Sequence, residues 1–304
     1  MNAIIALIAA NIIWGAASPI FKYSLENIPP FTLAFIRFFF AGLLFLPFMV
    51  GFKLNRLSRK EWVELLIGTF FGITINISFF FFGLKKADSI NAPIISSAGP
   101  VFLYFLSIIF LHEKAHRKVL SGMLVSLIGV IIIVLSPIFL DGKRIIAGEV
   151  EGNIFFIIAT LGAVLHPILY KNVMSKINAF QATGISFLFS AFTFFPLMLT
   201  EFSDWKISSL NMQGWTGIIF GVLLSSALAY FLFNYGVAKI NAQEIGLFTY
   251  IDPVIAVVIA IPLLHEYPNV YFFIGSILVF FGIYIAEKRI PWHPLNRIWK
   301  VRGS

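Results

Sequence analysis

The sequence has no cysteine and few charged residues. Its 304 residues include 22 Lys or Arg and 14 Asp or Glu, so charged residues make up 12% of the chain, against about 25% in soluble domains. The missing cysteines exclude a disulfide scaffold, thiol catalysis and a cysteine-ligated metal site. The shortage of charge, combined with the apolar content described next, excludes a disordered chain.

Apolar residues are abundant instead. Hydrophobic residues make up 59% of the chain, Phe alone contributes 36 residues, and the mean hydropathy is +0.93. A water-soluble protein of this length could not bury so much apolar surface in its own core. The composition therefore predicts a protein that crosses a membrane several times.

Ten mostly apolar runs of about 20 residues, the length that crosses a bilayer as a helix, divide the sequence. They lie near residues 3–21, 31–51, 62–83, 88–110, 118–137, 152–171, 179–200, 214–236, 242–264 and 269–287. Their apolar residues are continuous rather than alternating, so we predict an all-α membrane protein with ten transmembrane helices. No Lys or Arg precedes the first run, which we therefore predict to be a retained span and not a signal peptide.

The basic residues are concentrated on one side of the predicted membrane. With a cytoplasmic N-terminus, 15 of the 22 Lys and Arg fall on the cytoplasmic side, and Arg37 lies within the second span. The six on the outer side are Lys22, Lys85, Lys86, Lys143, Arg144 and Lys206. This asymmetry predicts that both termini are cytoplasmic. We expect the basic tail to contact anionic membrane lipids, and no nucleic acid.

The second half of the sequence repeats the first at a shift of 153 residues. The aligned pairs are Trp62 with Trp215, Gly68 with Gly221, Gly83 with Gly236, Lys86 with Lys239, Pro100 with Pro253, Glu113 with Glu266, Gly122 with Gly275 and Gly129 with Gly282. A shared spacing over about 68 residues indicates a duplication. We divide the chain into a first five-helix repeat (1–137), an extracytoplasmic linker (138–151), a second five-helix repeat (152–287) and a basic cytoplasmic tail (288–304).

Each repeat holds five spans, an odd number, so the second copy enters the membrane from the opposite side. This predicts an inverted-topology repeat about an axis in the membrane plane. Two related halves can exchange conformations, which provides inward-open and outward-open states of similar energy. A secondary transporter requires such states, whereas a receptor or a structural anchor does not.

Three sequence features together resemble a known family. They are Asn11-x-x-Trp14-Gly15 in the first span, Arg37 in the second, and a Pro-Val run ending in His-Glu in each half. With the duplication, residues 1–287 resemble the EamA family of the drug/metabolite transporter (DMT) superfamily. The resemblance implies a bacterial or archaeal plasma-membrane carrier, commonly an exporter of amino acids or other small metabolites. It also implies a central cavity formed by spans one, three, four, six, eight and nine.

The second repeat departs from the family pattern at two positions. Gly162 stands where the first repeat has Trp14, and Ser186 stands where it has Arg37. These two residues therefore cannot act as a symmetric pair. We expect Arg37 to anchor neighbouring spans, with contact to a substrate carboxylate as the alternative.

Acidic residues inside the spans are the first candidates for substrate binding, because a charge in the hydrocarbon needs a partner or a cavity. Asp252 precedes Pro253 in the ninth span, where we expect a kinked helix with free carbonyls. It could bind a cation, a substrate amine or a proton, or it could stabilise the kink. Glu244 lies eight residues earlier on the same helical face, and it could instead complement the helix dipole.

Uncharged polar residues form further candidate faces. Span four carries Asn91 and Ser96, span nine carries Tyr250, span eight carries Tyr230 and Asn234, and span three carries Asn76. Each could contact substrate or could hold helices together.

Two more candidates lie in spans one and six. His166 precedes Pro167 and could relay protons, or it could bond a carbonyl freed by the proline. Asn11 and Trp14 lie one turn apart in the first span, and Trp14 could stack on substrate or pack a helix crossing. We predict that Pro19 breaks this span.

Other repeated residues point to structure. The His112-Glu113 and His265-Glu266 pairs lie at span ends and are predicted to be caps or hinges. Small residues on one face of spans five and ten favour close helix approach, in a scaffold pair or a homodimer.

No metalloprotease, nucleophile-elbow, P-loop or dinucleotide motif is found in the sequence. We therefore predict no enzyme activity, no cofactor and no metal site. The favoured hypothesis is a secondary transporter for a small organic metabolite, most simply an exporter of an amino acid or a related solute. Efflux of lipophilic cations by the same fold, and a membrane-embedded enzyme or biogenesis factor, are the alternatives.

Overall fold

We describe a computed structural model of the chain. It describes residues 2–51, 56–102, 117–141, 147–170, 173, 176–237, 239 and 246–287. Every element of regular structure among these residues is helical, in agreement with the predicted all-α class.

The described chain forms twelve α-helices. Their bounds are Ala3–Ser24 (α1), Pro30–Phe45 (α2), Arg59–Thr69 (α3), Asn76–Leu84 (α4), Asn91–Ser97 (α5), Arg117–Asp141 (α6), Ala147–Tyr170 (α7), Ala179–Glu201 (α8), Met212–Ile219 (α9), Ala229–Val237 (α10), Ile251–Leu264 (α11) and Val270–Glu287 (α12). Two π-helical segments, Phe70–Ile75 and Phe220–Leu228, join α3 to α4 and α9 to α10. The 3₁₀ segment Leu46–Met49 follows α2, and the 3₁₀ segment Gly246–Tyr250 precedes α11.

Seven helical stretches of the described residues are long and apolar enough to cross a membrane. They are Ala3–Ser24, Pro30–Met49, Arg59–Leu84, Val119–Leu140, Gly148–His166, Ala179–Glu201 and Met212–Gly236. Two shorter apolar stretches, Phe248–Leu264 and Val270–Ile285, follow. The chain is thus a multi-pass membrane protein. Of the predicted fourth span the structure describes the beginning, because residues 103–116 lie outside the described residues.

Polar residues begin several helices by bonding their free N–H groups. Ser58 with Glu61, and Asn178 with Gln181, form capping boxes at the starts of α3 and α8. At the start of α2 the cap comes from another helix, because the Glu201 carboxylate accepts two backbone N–H groups of α2 at 3.0 and 2.7 Å. The α1 helix runs on through Pro19. The predicted break there is wrong, because neighbouring helices bury this part of α1 on both sides of the proline.

The two π-helical segments lie at matching places in the two predicted repeats. The first ends at Ile75 and the second at Leu228, a separation of 153 residues, which equals the shift that aligns the halves of the sequence. A π-helical turn holds one more residue than an α-helical turn and often lies at a functional site. Both segments lie directly beside the cavity described below.

The small-residue faces of α6 and α12 pack against each other. A Cβ atom on Gly129 would lie 2.6 Å from the Gly275 carbonyl oxygen, and a Cβ on Gly282 would contact the backbone of Gly122 and Ser126. This contact supports the scaffold-pair interpretation of the stripe. The faces are buried inside the chain and cannot also form a homodimer interface.

Loops that the topology places on the same side contact each other. At one end of the helices, Lys86 pairs with Glu151 and Lys22 pairs with Glu266. At the other end, Lys176 binds Glu61 at 2.7 Å. The first end carries loops that we predicted to be outside, and the second carries loops that we predicted to be cytoplasmic.

Candidate functional site

A cavity of about 290 Å³ lies between the helices and takes residues from both predicted repeats. Its lining residues are Trp14, Ala17, Phe21, Arg37, Asn76, Ile77, Phe80, Ser96, Phe156, Ala159, Ser225, Tyr230 and Asp252. They come from α1, α2, α4, α5, α7, α10, α11 and the second π-helical segment. The family resemblance implied a cavity formed by spans one, three, four, six, eight and nine, and each of these supplies a lining residue. The second span supplies one more, Arg37.

Arg37 is the cation of the cavity, and it is 4% exposed. Its Nε donates to the Ser226 hydroxyl at 2.7 Å, and its Nη2 donates to the Ser225 hydroxyl at 3.1 Å. The guanidinium also lies 5.0 Å from the ring centroid of Phe21 and 4.8 Å from that of Phe38. Hydroxyl and aromatic partners thus compensate the buried charge while part of the side chain faces the cavity.

Asp252 supplies the carboxyl group of the cavity, and its environment differs from that of Arg37. Its Oδ1 is buried and accepts no hydrogen bond from the described residues. The residue lies in the first turn of α11, directly after the 3₁₀ segment. A polar ligand or a proton at this oxygen would supply the missing partner.

Pro253 lies within regular α-helix, and the predicted kink at this position stays a prediction. The ninth span changes from 3₁₀ to α geometry at Ile251, and Pro253 is the third residue of α11. A proline in the first turn removes an N–H that has no partner within the helix, so the α-helix continues through it. The irregular backbone therefore precedes Asp252.

Gly15 allows α1 to pass close to Asp252. A Cβ at position 15 would lie 2.7 Å from the Asp252 carbonyl oxygen, closer than real Cβ atoms approach. The glycine beside Trp14 in the first-span motif thus lets the backbones of α1 and α11 meet at the cavity wall.

Trp14 and Tyr230 form an aromatic wall of the cavity. The Trp14 Nε1 donates to the Ser225 carbonyl at 3.0 Å, and its ring meets the edge of Tyr230 at 5.3 Å between centroids. Tyr230 also packs edge-on against Phe187 at 5.0 Å. These contacts hold the indole and the phenol in fixed orientations.

Asn76 and Ser96 complete the set of predicted residues in the cavity. The Asn76 amide donates to the Ala159 carbonyl at 2.7 Å, directly after the first π-helical segment. The Ser96 hydroxyl lies 3.4 Å from the Thr160 hydroxyl. Both side chains link their helix to α7 and present polar atoms to the cavity.

Five other predicted site residues do not line this cavity. Asn91 donates to Asn153, Asn234 donates to Thr183, Asn11 donates to the Leu7 carbonyl, His166 packs against Gly72, and Tyr250 meets the ring of Phe280. In this conformation they serve contacts between or within helices. Their substrate contact remains a prediction.

Three predicted features lie outside the described residues. They are Glu244, His112 and Glu113.

Seven cavity residues were absent from the candidate set, namely Ala17, Phe21, Ile77, Phe80, Phe156, Ala159 and Ser225. Phe80 carried a usable signal, because it lies one turn after Asn76 on the same face. Ser225 is adjacent to Ser226, which shares a face with Tyr230. Phe156 and Ala159 are apolar residues of an apolar span, and nothing in their local sequence marks them as cavity residues.

The described residues contain no group of three or more His, Cys, Asp or Glu side chains that could hold a metal ion. The polar groups of the cavity are one guanidinium, one carboxylate, two aromatic residues with polar atoms, one amide and two hydroxyls. Such a set suits binding of a small charged or zwitterionic solute.

Relatives of known classification match nearly the whole chain. The model of the EamA-like transporter family matches residues 1–135 and 150–287. The uncharacterized transporter YetK of Bacillus subtilis (strain 168) is 30% identical over 296 residues, covering 96% of this chain and 89% of that protein. An S-adenosylmethionine uptake transporter of Rickettsia conorii (strain ATCC VR-613 / Malish 7) is 24% identical over 274 residues, covering 88% and 87%.

One solved crystal structure has a similar fold. It matches with a TM-score of 0.63 at 17% identity, covering 95% of this chain and 98% of that one. The family match over both halves, with the cavity between them, identifies a transporter. The chain belongs to the EamA-like transporter family of the DMT superfamily.

Proposed function

We propose that this protein is a secondary transporter that exports a small zwitterionic metabolite, most simply an apolar amino acid, by alternating access through the central cavity. Its membrane would be the plasma membrane of a bacterium or an archaeon, since the similar proteins come from Bacillus subtilis and Archaeoglobus fulgidus. The substrate would bind in the cavity, and the outer surface of the helices would contact membrane lipids.

The observation that carries the proposal is that the guanidinium of Arg37 and the carboxyl group of Asp252 line one cavity. A charge in the bilayer interior costs at least ~2.5–3.5 kcal/mol unless it is compensated. Ser225 and Ser226 help to compensate Arg37, whereas Asp252 keeps a buried oxygen without a partner. A substrate ammonium would compensate Asp252, and a substrate carboxylate would find the guanidinium of Arg37.

The walls and size of the cavity favour a small solute with an apolar part. Its apolar lining residues include Phe21, Ile77, Phe80 and Phe156. Its volume of about 290 Å³ lies at the small end of ligand pockets, which span about 300–1,000 Å³. An amino acid with an apolar side chain fits this combination of charged ends and apolar walls.

Alternating access is supported by the relation between the halves. The sequence shift of 153 residues recurs in the ends of the two π-helical segments. Two similar halves around one site allow the site to face either side in turn.

Lipophilic cations are the second candidate substrate class. The Asp252 carboxylate and the Trp14 ring would suit a cation with an apolar body. Arg37 disfavours it, because a second cation in the same cavity would be repelled. One relative is named as an S-adenosylmethionine uptake transporter. That compound combines a cationic centre with an amino acid group, so it is a further substrate to test.

The decisive experiment is transport by purified protein in proteoliposomes. The panel contains apolar amino acids, tetraphenylphosphonium and S-adenosylmethionine, each measured with and without a pH gradient. We expect counterflow of an amino acid in wild type and a reduction of about tenfold or more in Asp252→Asn, because the ammonium loses its counter-charge. Asp204→Asn, which changes an exposed acid in a loop, is the matched control and should transport like wild type.

Two outcomes would contradict the proposal. If Asp252→Asn transports at the wild-type rate and with the wild-type response to pH, Asp252 is structural. If no member of the panel moves but a chemical product forms in detergent, the protein is a membrane enzyme.

A further inference from the structure

A second charged cluster lies outside the cavity, at the end of the helices that carries the predicted outer loops. It consists of Lys22, Asp88, Ser89 and Glu266, and we call it the Glu266 cluster. Glu266 is 7% exposed and Ser89 is fully buried. Charged groups buried to this degree are rare unless they are paired.

The Glu266 carboxylate joins three segments of the chain. Its Oε1 lies 2.6 Å from the Lys22 ammonium, and its Oε2 accepts the backbone N–H of Ser89 at 2.8 Å and the Ser89 hydroxyl at 2.7 Å. Lys22 also donates to the Ala87 carbonyl at 2.7 Å and lies 3.9 Å from Asp88. These charge-assisted bonds are stronger than neutral ones.

The backbone around His265 positions Glu266. His265 is the only non-glycine residue with positive φ in the described part of the chain, at 56°. Its N–H bonds the Ile261 carbonyl at 3.1 Å, and the Glu266 N–H bonds the Ala260 carbonyl at 3.4 Å. A left-handed conformation is uncommon for such a residue. Here it ends α11 and places Glu266 beside the start of α5.

The three segments are the ends of helices that line the cavity. Lys22 lies near the end of α1, which supplies Trp14. Ser89 lies two residues before α5, which supplies Ser96, and Glu266 lies two residues after α11, which supplies Asp252. Each of these helices therefore extends from the cavity toward the cluster, and widening the cavity toward this face requires their ends to separate.

We infer that Glu266 is a positioning residue for transport, which keeps the cavity closed toward this face by holding the ends of α1, α5 and α11 together. Opening toward this face breaks the bonds from Glu266 to Lys22 and Ser89. The bonds form again when the cavity turns to the opposite face. This inference rests on the proposed alternating access.

A second ion pair on the same face provides an internal comparison. Lys86 binds Glu151, and their side chains are 40% and 46% exposed. This pair joins the loop after α4 to the N-terminal part of α7 and does not involve α1, α5 or α11. Exposed pairs contribute little to the relative stability of two states, so the Lys86–Glu151 pair should not control access to the cavity.

The test measures from which side the cavity can be reached. The chain has no native cysteine, so a Ser96→Cys substitution places the only thiol in the cavity. A membrane-impermeant thiol reagent is applied to intact cells and to inverted membrane vesicles, which expose opposite faces. Glu266→Gln, Lys22→Met and Lys22→Arg are compared in this background, with Glu151→Gln as the matched control.

We expect Glu266→Gln and Lys22→Met to raise the labelling rate from the face that carries the cluster by about tenfold, and to lower it from the opposite face, because the population shifts toward the open state. Lys22→Arg and Glu151→Gln should label like the parent. Since labelling needs no substrate, the result does not depend on whether the transport panel contains the right solute.

The inference is overturned if labelling from both faces is unchanged in Lys22→Met. It is also overturned if Glu151→Gln accelerates labelling as much as Glu266→Gln does. If Glu266→Gln fails to fold, the comparison of Lys22→Met with Lys22→Arg decides, because both variants keep the carboxylate and its bonds to Ser89.

Discussion

At the scale of single residues, buried charge divides into two kinds. Arg37 donates to two serine hydroxyls, and Glu266 accepts from Ser89 and forms an ion pair with Lys22. Asp252 instead keeps a buried oxygen with neither a hydrogen bond nor an ion pair among the described residues. A buried polar atom without a partner is costly and persists in proteins mainly where a ligand or proton can supply the partner. This contrast separates the groups that hold the structure from the group that we expect to meet the substrate.

Asp88, which also belongs to the Glu266 cluster, is a half-exposed carboxyl group with a shifted pKa. Partial burial, followed by the nearby Glu266 carboxylate, raises the pKa of Asp88 from the ordinary 3.8 to about 6. Glu149 acts in the same direction, and the Lys22 ammonium opposes both. Two carboxylates of the Glu266 cluster thus compete for one lysine.

The stability of the protein should therefore fall as the pH rises through about 6. The folded protein binds a proton at Asp88 that the unfolded chain has lost above its ordinary pKa, so the stabilisation is complete below about pH 4 and is lost between pH 4 and 6. Asp88→Asn stays neutral throughout. We expect the Tm of Asp88→Asn to match wild type near pH 5 more closely than at pH 7, where the variant should be more stable.

The control for this experiment is Glu151→Gln, which removes an exposed carboxylate on the same face. Its Tm difference from wild type should not change in the same way between pH 5 and pH 7. A Tm difference for Asp88→Asn that is constant across this range would show that Asp88 does not titrate there.

The individual site residues could be predicted only in part. Trp14, Asn76, Ser96, Tyr230 and Asp252 stood out as polar or amphipathic residues in apolar spans, and they line the cavity. Asn91 and Asn234 stood out for the same reason, yet their amides bond neighbouring helices. An amide in a membrane helix can bond a substrate or a neighbouring helix equally well. The local sequence therefore does not distinguish a binding residue from one that holds helices together.

At the scale of elements, three irregular segments lie beside the cavity. The first π-helical segment ends directly before Asn76, and the second contains Ser225. The 3₁₀ segment Gly246–Tyr250 ends directly before α11, which carries Asp252. No proline or glycine in the sequence predicted the two π-helical segments. The first of them packs closely against α7. There, a Cβ on Gly162 would lie 2.7 Å from the Phe71 carbonyl.

The contact between α6 and α12 gives a prediction about stability. Gly129→Ala would place a methyl group 2.6 Å from the Gly275 carbonyl, so the two helices would have to move apart. We expect a loss of about 1–3 kcal/mol, as for other overpacked interiors, measured as a lower Tm of the purified protein.

The matched control is Gly148→Ala in α7, where a Cβ would meet no atom within 4 Å. This variant should be as stable as wild type or more stable, by up to about 1 kcal/mol, since alanine favours helix over glycine. Equal Tm values for the two alanine variants would contradict the close contact.

At the scale of the whole molecule, charge placement and contacts agree about which loops share a side. Lys86 contacts Glu151 at one end of the helices, and Lys176 contacts Glu61 at the other. The contacts define two faces but carry no information about which face is cytoplasmic. That assignment comes from the excess of Lys and Arg in one set of loops.

Cysteine labelling would test this orientation. We expect Lys86→Cys to react with an impermeant reagent in intact cells and Lys176→Cys to react only in inverted vesicles. Both lysines are about equally exposed, at 40% and 45% of the side chain, so access to the membrane face decides the result. Labelling of Lys176→Cys in intact cells would reverse the predicted orientation and place the Glu266 cluster at the cytoplasmic face.

The sequence by itself determined the membrane class, the approximate positions of the described spans and the family. These follow from composition, run length and internal spacing, which are properties of the chain that do not depend on packing. It also singled out Asp252, because an acid in an apolar span needs an explanation.

The tertiary structure alone decided which polar residues meet. It placed Arg37 in the cavity with Asp252, turned the small-residue stripe into an internal helix contact, and brought Glu266 to Lys22 and Ser89. Lys22 and Glu266 are separated by most of the chain. Bonds of this kind depend on how helices from the two halves pack, and no local pattern in the sequence encodes that packing.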